Sequence, residues 1–191
     1  MREIEEIRSA IYDYFHGTNN CQSYFFDPAH QEVFVAYYNS MYLLQDASES
    51  LWEHRETGFS SNPLRAYLEF WGVMQAVIIQ QDSIAEIYEI TTGKALNPRG
   101  MKAWPKIRVI RNICAGHPVR KDRPKTTPLT RSFMGRNFGG YDEITYEQWQ
   151  QNLGSTHPRV KLGTLLEEYA AEAAERLNEA FSAMKKRWPQ D

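Results

Sequence analysis

The chain has 191 residues, a formal net charge of −2 and only two cysteines, Cys21 and Cys114. Hydrophobic residues make up 42% and aromatic residues 13%, enough to build one sizeable core, which excludes a disordered chain. Two cysteines exclude a disulfide framework and a cysteine-rich zinc module.

The charged opening MREIEEIRSA lacks the apolar run of a secretory signal. The most apolar stretch, FWGVMQAVII, is broken by Gln75 and followed by Gln80, Gln81 and Asp82. It falls short of the ~18 uninterrupted apolar residues of a membrane span. The expectation is a cytoplasmic protein with no membrane association.

The first predicted helix lies near 2 to 16, with Ile4, Ile7, Ile11 and Tyr14 on one face and Gly17 as its stop. The second lies near 28 to 57. Asp27-Pro28 opens it, its stripe is Val33, Tyr37, Met41, Leu44, Ser48 and Leu51, and Gly58 ends it. The third, near 63 to 92, starts at Asn62-Pro63 and ends at Gly93. Its predicted buried stripe is Leu64, Tyr67, Leu68, Trp71, Met74, Ile78, Ala85 and Tyr88. The fourth, near 98 to 115, starts at Asn97-Pro98, carries Ala103, Ile107, Ile110 and Cys114, and ends at Gly116. Residues 118 to 144 read as a long basic loop with a small hairpin around Phe138-Gly139-Gly140-Tyr141. Thr145 and Gln148 have capping-box spacing, which predicts a short helix ending before Gly154. Pro158 is expected to open a last helix reaching Arg187.

Together these elements predict one all-α domain over 1–191. Its form is an antiparallel helical bundle of four to five long helices, interrupted by a basic loop at 118–144.

The net charge conceals a strong asymmetry. From Arg99 to Arg136 there are eleven Lys and Arg residues and one acid, Asp122, so this segment carries +10 and the rest of the chain −12. Arginine clusters of this density are built for anions, phosphate above all. The segment holds the stretch RNICAGHP, residues 111 to 118, where an apolar helix stops on polar and helix-breaking residues. Gly116 and Pro118 should free His117 from helical dihedrals while Arg111 stays on the last turns. Histidine titrates near neutrality and can move a proton both ways, and arginine presents a permanent planar fork to phosphate oxygens. On residues alone two plainer readings stay open. His117 would be a buried cap at the helix dipole, and Arg111 the partner of an acid on a neighbouring helix. The aromatics Tyr37, Tyr38, Tyr42, Phe70 and Trp71 read as core or interface.

Arg111-Asn112, four residues and then His117 resembles the signature of the HEPN superfamily, the all-α domains of prokaryotic toxins and RNA-cleaving defence systems. The resemblance implies a metal-independent endoribonuclease with a composite site at a homodimer interface and no cofactor. Here His117 would be general acid and base, Arg111 the phosphate binder and Asn112 a polar assistant. Asp82 and Glu86 are candidate helpers. Arg108, Arg120, Lys121, Arg123, Lys125, Arg131 and Arg136 would hold the RNA backbone. The expected reaction is attack of the RNA 2'-hydroxyl to give a 2',3'-cyclic phosphate, in a toxin or defence effector with a cognate antitoxin protein. Two alternatives are a non-catalytic module of the same shape binding RNA, nucleotide or protein, and a helical scaffold or small-ligand bundle.

Overall fold

The computed structural model describes residues 2 to 116 and 129 to 190. Helix accounts for 69% of them. The remainder includes two small antiparallel sheets, so the architecture is mostly helical and not all-α. In chain order the helices are α1 Arg2–His16, α2 Asn19–Phe25, α3 Gln31–Thr57, α4 Pro63–Thr92, α5 Ala103–Arg111 and α6 Leu162–Arg187. A 3-10 turn, Pro28–His30, leads into α3, and a π-helical turn, Asn112–Gly116, continues α5. The strands are β1 Thr130–Phe133, β2 Ile144–Thr145, β3 Glu147–Gln150, β4 Gly154–Thr156 and β5 Arg159–Val160. No helix among the described residues is long and apolar enough to cross a membrane.

Two compact units divide the chain. The first comprises Met1–Trp52, Ala76–Met101 and Ala170–Asp191. Its core takes Ile4, Ile7 and Ile11 from α1, Tyr37, Met41 and Leu44 from α3, and Leu177 and Met184 from α6. These are the stripes that the 3.6-residue period selects. Rings close one end: Phe15 lies 5.0 Å from Tyr37 and 5.3 Å from Phe25, and Phe25 lies 5.2 Å from Trp188. Buried polar groups are partly answered internally. Ser48 Oγ donates to the Leu44 carbonyl and accepts from Gln80 Nε2 at 2.8 Å, and the Arg8 Nε–H donates to the Met41 carbonyl.

The second unit comprises Glu53–Gln75 and Lys102–Tyr169. It contains the end of α3, the first half of α4, α5, both sheets and the start of α6. Its core centres on Phe138, with ring centroids 5.1 Å from Phe70 and 5.3 Å from Phe59, together with Ile107, Ile110, Ile144 and Trp104. The larger sheet has the order β1-β3-β4, and β2 pairs with β5. β1 runs beside the π-helical turn.

The three Asx-Pro pairs meet three fates. Asn62 caps α4, its Oδ1 accepting from the N–H groups of Leu64 and Arg65. Asp27 Oδ1 accepts from Ala29, but the turn that follows is 3-10 before α3 begins. Asn97 Oδ1 accepts from Arg99 in the same way, yet no helix follows until Ala103. Gly100 sits at φ +95°, a left-handed conformation that ends the turn. The fourth helix therefore starts later than its sequence signal.

Other expectations are corrected too. No helix spans 145 to 153. Trp149 and Leu153 are exposed and Tyr146 is only half-buried, so a helix there would have no continuous face to bury. The segment joins a β-ladder instead, with Asn152 and Gly154 at positive φ turning β3 into β4. Pro158 does not open α6, because Arg159 and Val160 are held extended against Thr145 and Ile144. The stretch at 129 to 144 is not all loop. It holds β1, the start of β2 and a bridge from Gly139 to Ile144, where the small hairpin was expected. α2 has no counterpart among the predicted helices, since seven residues with only Cys21 and Phe25 buried carry almost no periodic signal.

The phase of the first turns of α4 also differs, although Met74 and Ile78 of the predicted stripe are buried. Leu64, Leu68 and Trp71 are exposed by 58%, 66% and 39%, while Ala66, Phe70, Val73, Met74 and Val77 are buried. Apolar side chains lie almost all round this helix, so its sequence does not select an arc. Packing of Phe138 on Phe70 does. Phe70→Ala should accordingly cost about 3–5 kcal/mol in chemical denaturation. Leu68→Ala should change stability by no more than about 0.5 kcal/mol. Equal losses at both positions would contradict this rotation of α4.

Candidate functional site

The residues of the Arg-Asn motif lie where α5 passes into the π-helical turn. Trp104, Ile107, Ile110 and Cys114 anchor this segment on its buried side, and Arg111 stands half-buried beside them. Its guanidinium makes two hydrogen bonds. Nη2 donates to Gln75 Oε1 on α4 at 2.8 Å, and Nη1 donates to Asn112 Oδ1 at 3.1 Å. Both acceptors are neutral. Among the described residues Arg111 has no carboxylate partner, so the plainer reading of an arginine tied to an acid is not what the structure has.

Gly116 completes this arrangement. A Cβ there would lie 2.8 Å from Arg111 Nη1 and 3.3 Å from Cζ. The guanidinium thus rests against glycine backbone with no room for a methyl group. Asn112, Gln75 and Gly116 hold the fork from three directions while its remaining N–H donors are unpartnered among the described residues. A cation held by neutral acceptors keeps its charge for an anion that arrives later.

His117, Arg120, Lys121, Arg123 and Lys125 lie outside the described residues. Arg108 lies on α5, partly exposed; Arg131 is exposed on β1 and Arg136 just beyond it. Asp82 and Glu86 are exposed on the part of α4 that belongs to the first unit. The units also divide the charge. The second contains fourteen Lys and Arg against nine Asp and Glu, and the first eight against fifteen. Gln75 carried one sequence signal, its interruption of an apolar run, but nothing there connects it to Arg111.

A separate titratable cluster lies in the second unit. Tyr141 OH and His54 Nδ1 are 2.7 Å apart, and His54 Nε2 lies 3.7 Å from Glu69 Oε2. Burial pushes the Tyr141 phenol up to about 12, and its hydroxyl shares a hydrogen bond with Nδ1. Glu69 also accepts from the Ser60 backbone N–H at 2.7 Å and from Arg65 Nε at 3.0 Å. The Ser60 N–H, followed by Arg65 and His54, holds its carboxyl below the usual value against the opposing effect of desolvation. Phe59 packs on both His54 and Tyr141, at 4.7 and 4.9 Å. The cluster ties together the end of α3, α4 and the segment before β2. Its members are 87 residues apart at the extremes, which no local sequence pattern reveals.

Among the described residues, no three His, Cys, Asp or Glu side chains group in a way that could hold a metal ion. No family model, curated protein or solved structure matches the chain.

The Glu69 contacts predict an acid-sensitive contribution to stability. A carboxyl whose folded pKa is depressed stabilises fully above its unfolded value, about 4.3, and loses that contribution as pH falls through the lower folded value. Glu69→Gln should therefore lower the melting temperature at pH 7, and the gap to wild type should close in acid. A gap independent of pH would place the effect elsewhere.

Proposed function

We propose that this chain is a HEPN-like, metal-independent endoribonuclease, built as a helical bundle and working as a homodimer. The observation that supports the reading most is the Arg111 guanidinium, held by Gln75 and Asn112 with no carboxylate partner among the described residues. It lies six positions before a histidine in the most basic part of the sequence. A fork positioned in this way suits a phosphate whose charge grows during reaction.

RNA supplies its own nucleophile. In the proposed reaction the 2'-oxygen forms a bond to the adjacent phosphorus as His117 takes its proton. The bond from phosphorus to the 5'-oxygen breaks, and a proton returns to that oxygen from the imidazolium. The products are a 2',3'-cyclic phosphate and a free 5'-hydroxyl, with no net change in protons. Arg111 neutralises charge on the non-bridging oxygens, and Asn112 and Gln75 keep its fork aligned. Arg108, Arg120, Lys121, Arg123, Lys125, Arg131 and Arg136 attract the backbone without reading bases. A two-fold pair of chains would set two such Arg-His pairs across one cleft. A toxin or defence role with a cognate antitoxin follows from the same resemblance.

Purified protein with a chelator present should cleave single-stranded RNA to cyclic-phosphate ends and leave 2'-deoxy and 2'-O-methyl substrates intact. His117→Ala should lower the rate by about 10²–10⁴-fold, and Arg111→Ala by about 10²–10³-fold. Intact RNA with wild-type protein would overturn the reading. Salt-sensitive RNA binding that survives His117→Ala, without cleavage, would favour a non-catalytic binding module.

Gly116→Ala gives a finer check. Its methyl group meets the guanidinium at 2.8 Å, so the fork must leave its position while the charge remains. The variant should keep wild-type melting within a few degrees and lose about ten-fold in kcat with little change in KM. Full activity in Gly116→Ala would mean that the observed fork position is irrelevant to the chemistry.

A further inference from the structure

The outward face of the larger sheet carries two large aromatic side chains, Phe133 and Trp149, that stand partly in solvent. β1 and β3 pair with Arg131 opposite Trp149 and Phe133 opposite Glu147, and β4 places Ser155 opposite Trp149. Directly opposed residues in an antiparallel pair point to the same face, so these five form one surface. The other face is packed: Ser132 is buried and accepts from Gln148 Nε2 at 3.3 Å. On the outer face Phe133 is 51% and Trp149 39% exposed. Neither ring contacts another aromatic ring among the described residues, although many other rings of this chain do. They are diagonal neighbours, about 7–8 Å apart at the backbone, with Arg131 directly across from the tryptophan.

We propose that this face is a stacking platform for unpaired RNA, on which Phe133 and Trp149 take bases while Arg131 meets the backbone. The proposal rests on the ribonuclease reading and names its substrate class. Three observations select this occupant. The second unit, which contains the sheet, has the basic excess that a polyanion needs. β1 also lies beside the π-helical turn that follows Arg111, so the sheet and the Arg111 corner are neighbours within one unit. Two rings separated by polar and charged side chains make a poor apolar interface for a protein, whereas each offers a flat π surface to one base. A duplex keeps its bases stacked on each other and has none to offer, so the platform selects unpaired strands.

One side chain on this face opposes the ligand. Glu147 accepts from Ser155 Oγ at 2.8 Å and places a carboxylate beside Phe133, where a phosphate would be repelled. Its removal has a predicted sign opposite to that of the rings.

The test uses the full chain and a fluorescent, non-cleavable 2'-O-methyl single strand of about a dozen nucleotides. Fluorescence anisotropy should give a Kd that rises about ten-fold in Phe133→Ala and in Trp149→Ala, each at wild-type melting temperature. Phe133→Tyr and Trp149→Phe, which keep a ring, should bind like wild type. Glu147→Gln should bind more tightly, and an unlabelled duplex should compete poorly. If wild type cleaves RNA but binding ignores both ring deletions, the platform is wrong and the ribonuclease reading stands. If wild type neither binds nor cleaves RNA, both fall together. Loss of binding in the ring-keeping variants would show that the alanine effects came from damage to the sheet, and would also overturn the platform.

Discussion

Packing of Phe138 against Phe70 sets how α4 is rotated, and the candidate site depends on that rotation. At 100° per residue, Gln75 lies about 140° round the helix from Phe70. Burying Phe70 therefore turns Gln75 outward, where it accepts from Arg111. The same contact leaves Leu64, Leu68 and Trp71 in solvent. Phe138 also anchors the segment carrying Tyr141, whose hydroxyl reaches His54 on α3. One buried ring thus orients a helix, positions a guanidinium and ties a sheet-bearing segment to the helices of its unit.

The electrostatics of the second unit have two kinds of solution side by side. Glu69 is saturated by a backbone N–H, an arginine and a nearby imidazole, and its contribution is structural. Arg111 is held by two amide oxygens and keeps its charge. The difference matters because a paired arginine must break an ion pair before it can receive a phosphate. An arginine already aligned by neutral groups pays no such cost. Gly116 contributes by lacking a side chain: the guanidinium occupies the volume that any other residue would fill.

The strands are this chain's departure from a purely helical design. They occur where the apolar period fails and turn-forming residues accumulate, and they turn a basic stretch into a surface. Pairing places Arg131, Phe133 and Trp149 on one face at spacings that a disordered loop could not maintain. β1 joins this face to the turn at the end of α5. The association of sheet, π-helical turn and Arg111 within one unit makes a single functional reading economical.

The helices α1, α3, α4 and α6 were legible in the sequence because a 3.6-residue apolar period, Asx-Pro openings and glycine stops are local signals. The Arg111-Asn112 corner and the basic asymmetry were legible for the same reason. The sequence could not distinguish Asn97-Pro98 from Asn62-Pro63, because the outcome depends on whether the following residues find a surface to bury. It read 145 to 153 as helix because capping spacing is visible locally and a ladder partner is not. Composition, charge and periodicity determined that the chain is mostly helical and that its arginines gather around residue 111. Tertiary structure decided which arc of α4 is buried, which neutral oxygens hold Arg111, and which rings face solvent. Each of those outcomes is set by contacts between residues far apart in the chain, whose energies no local window contains.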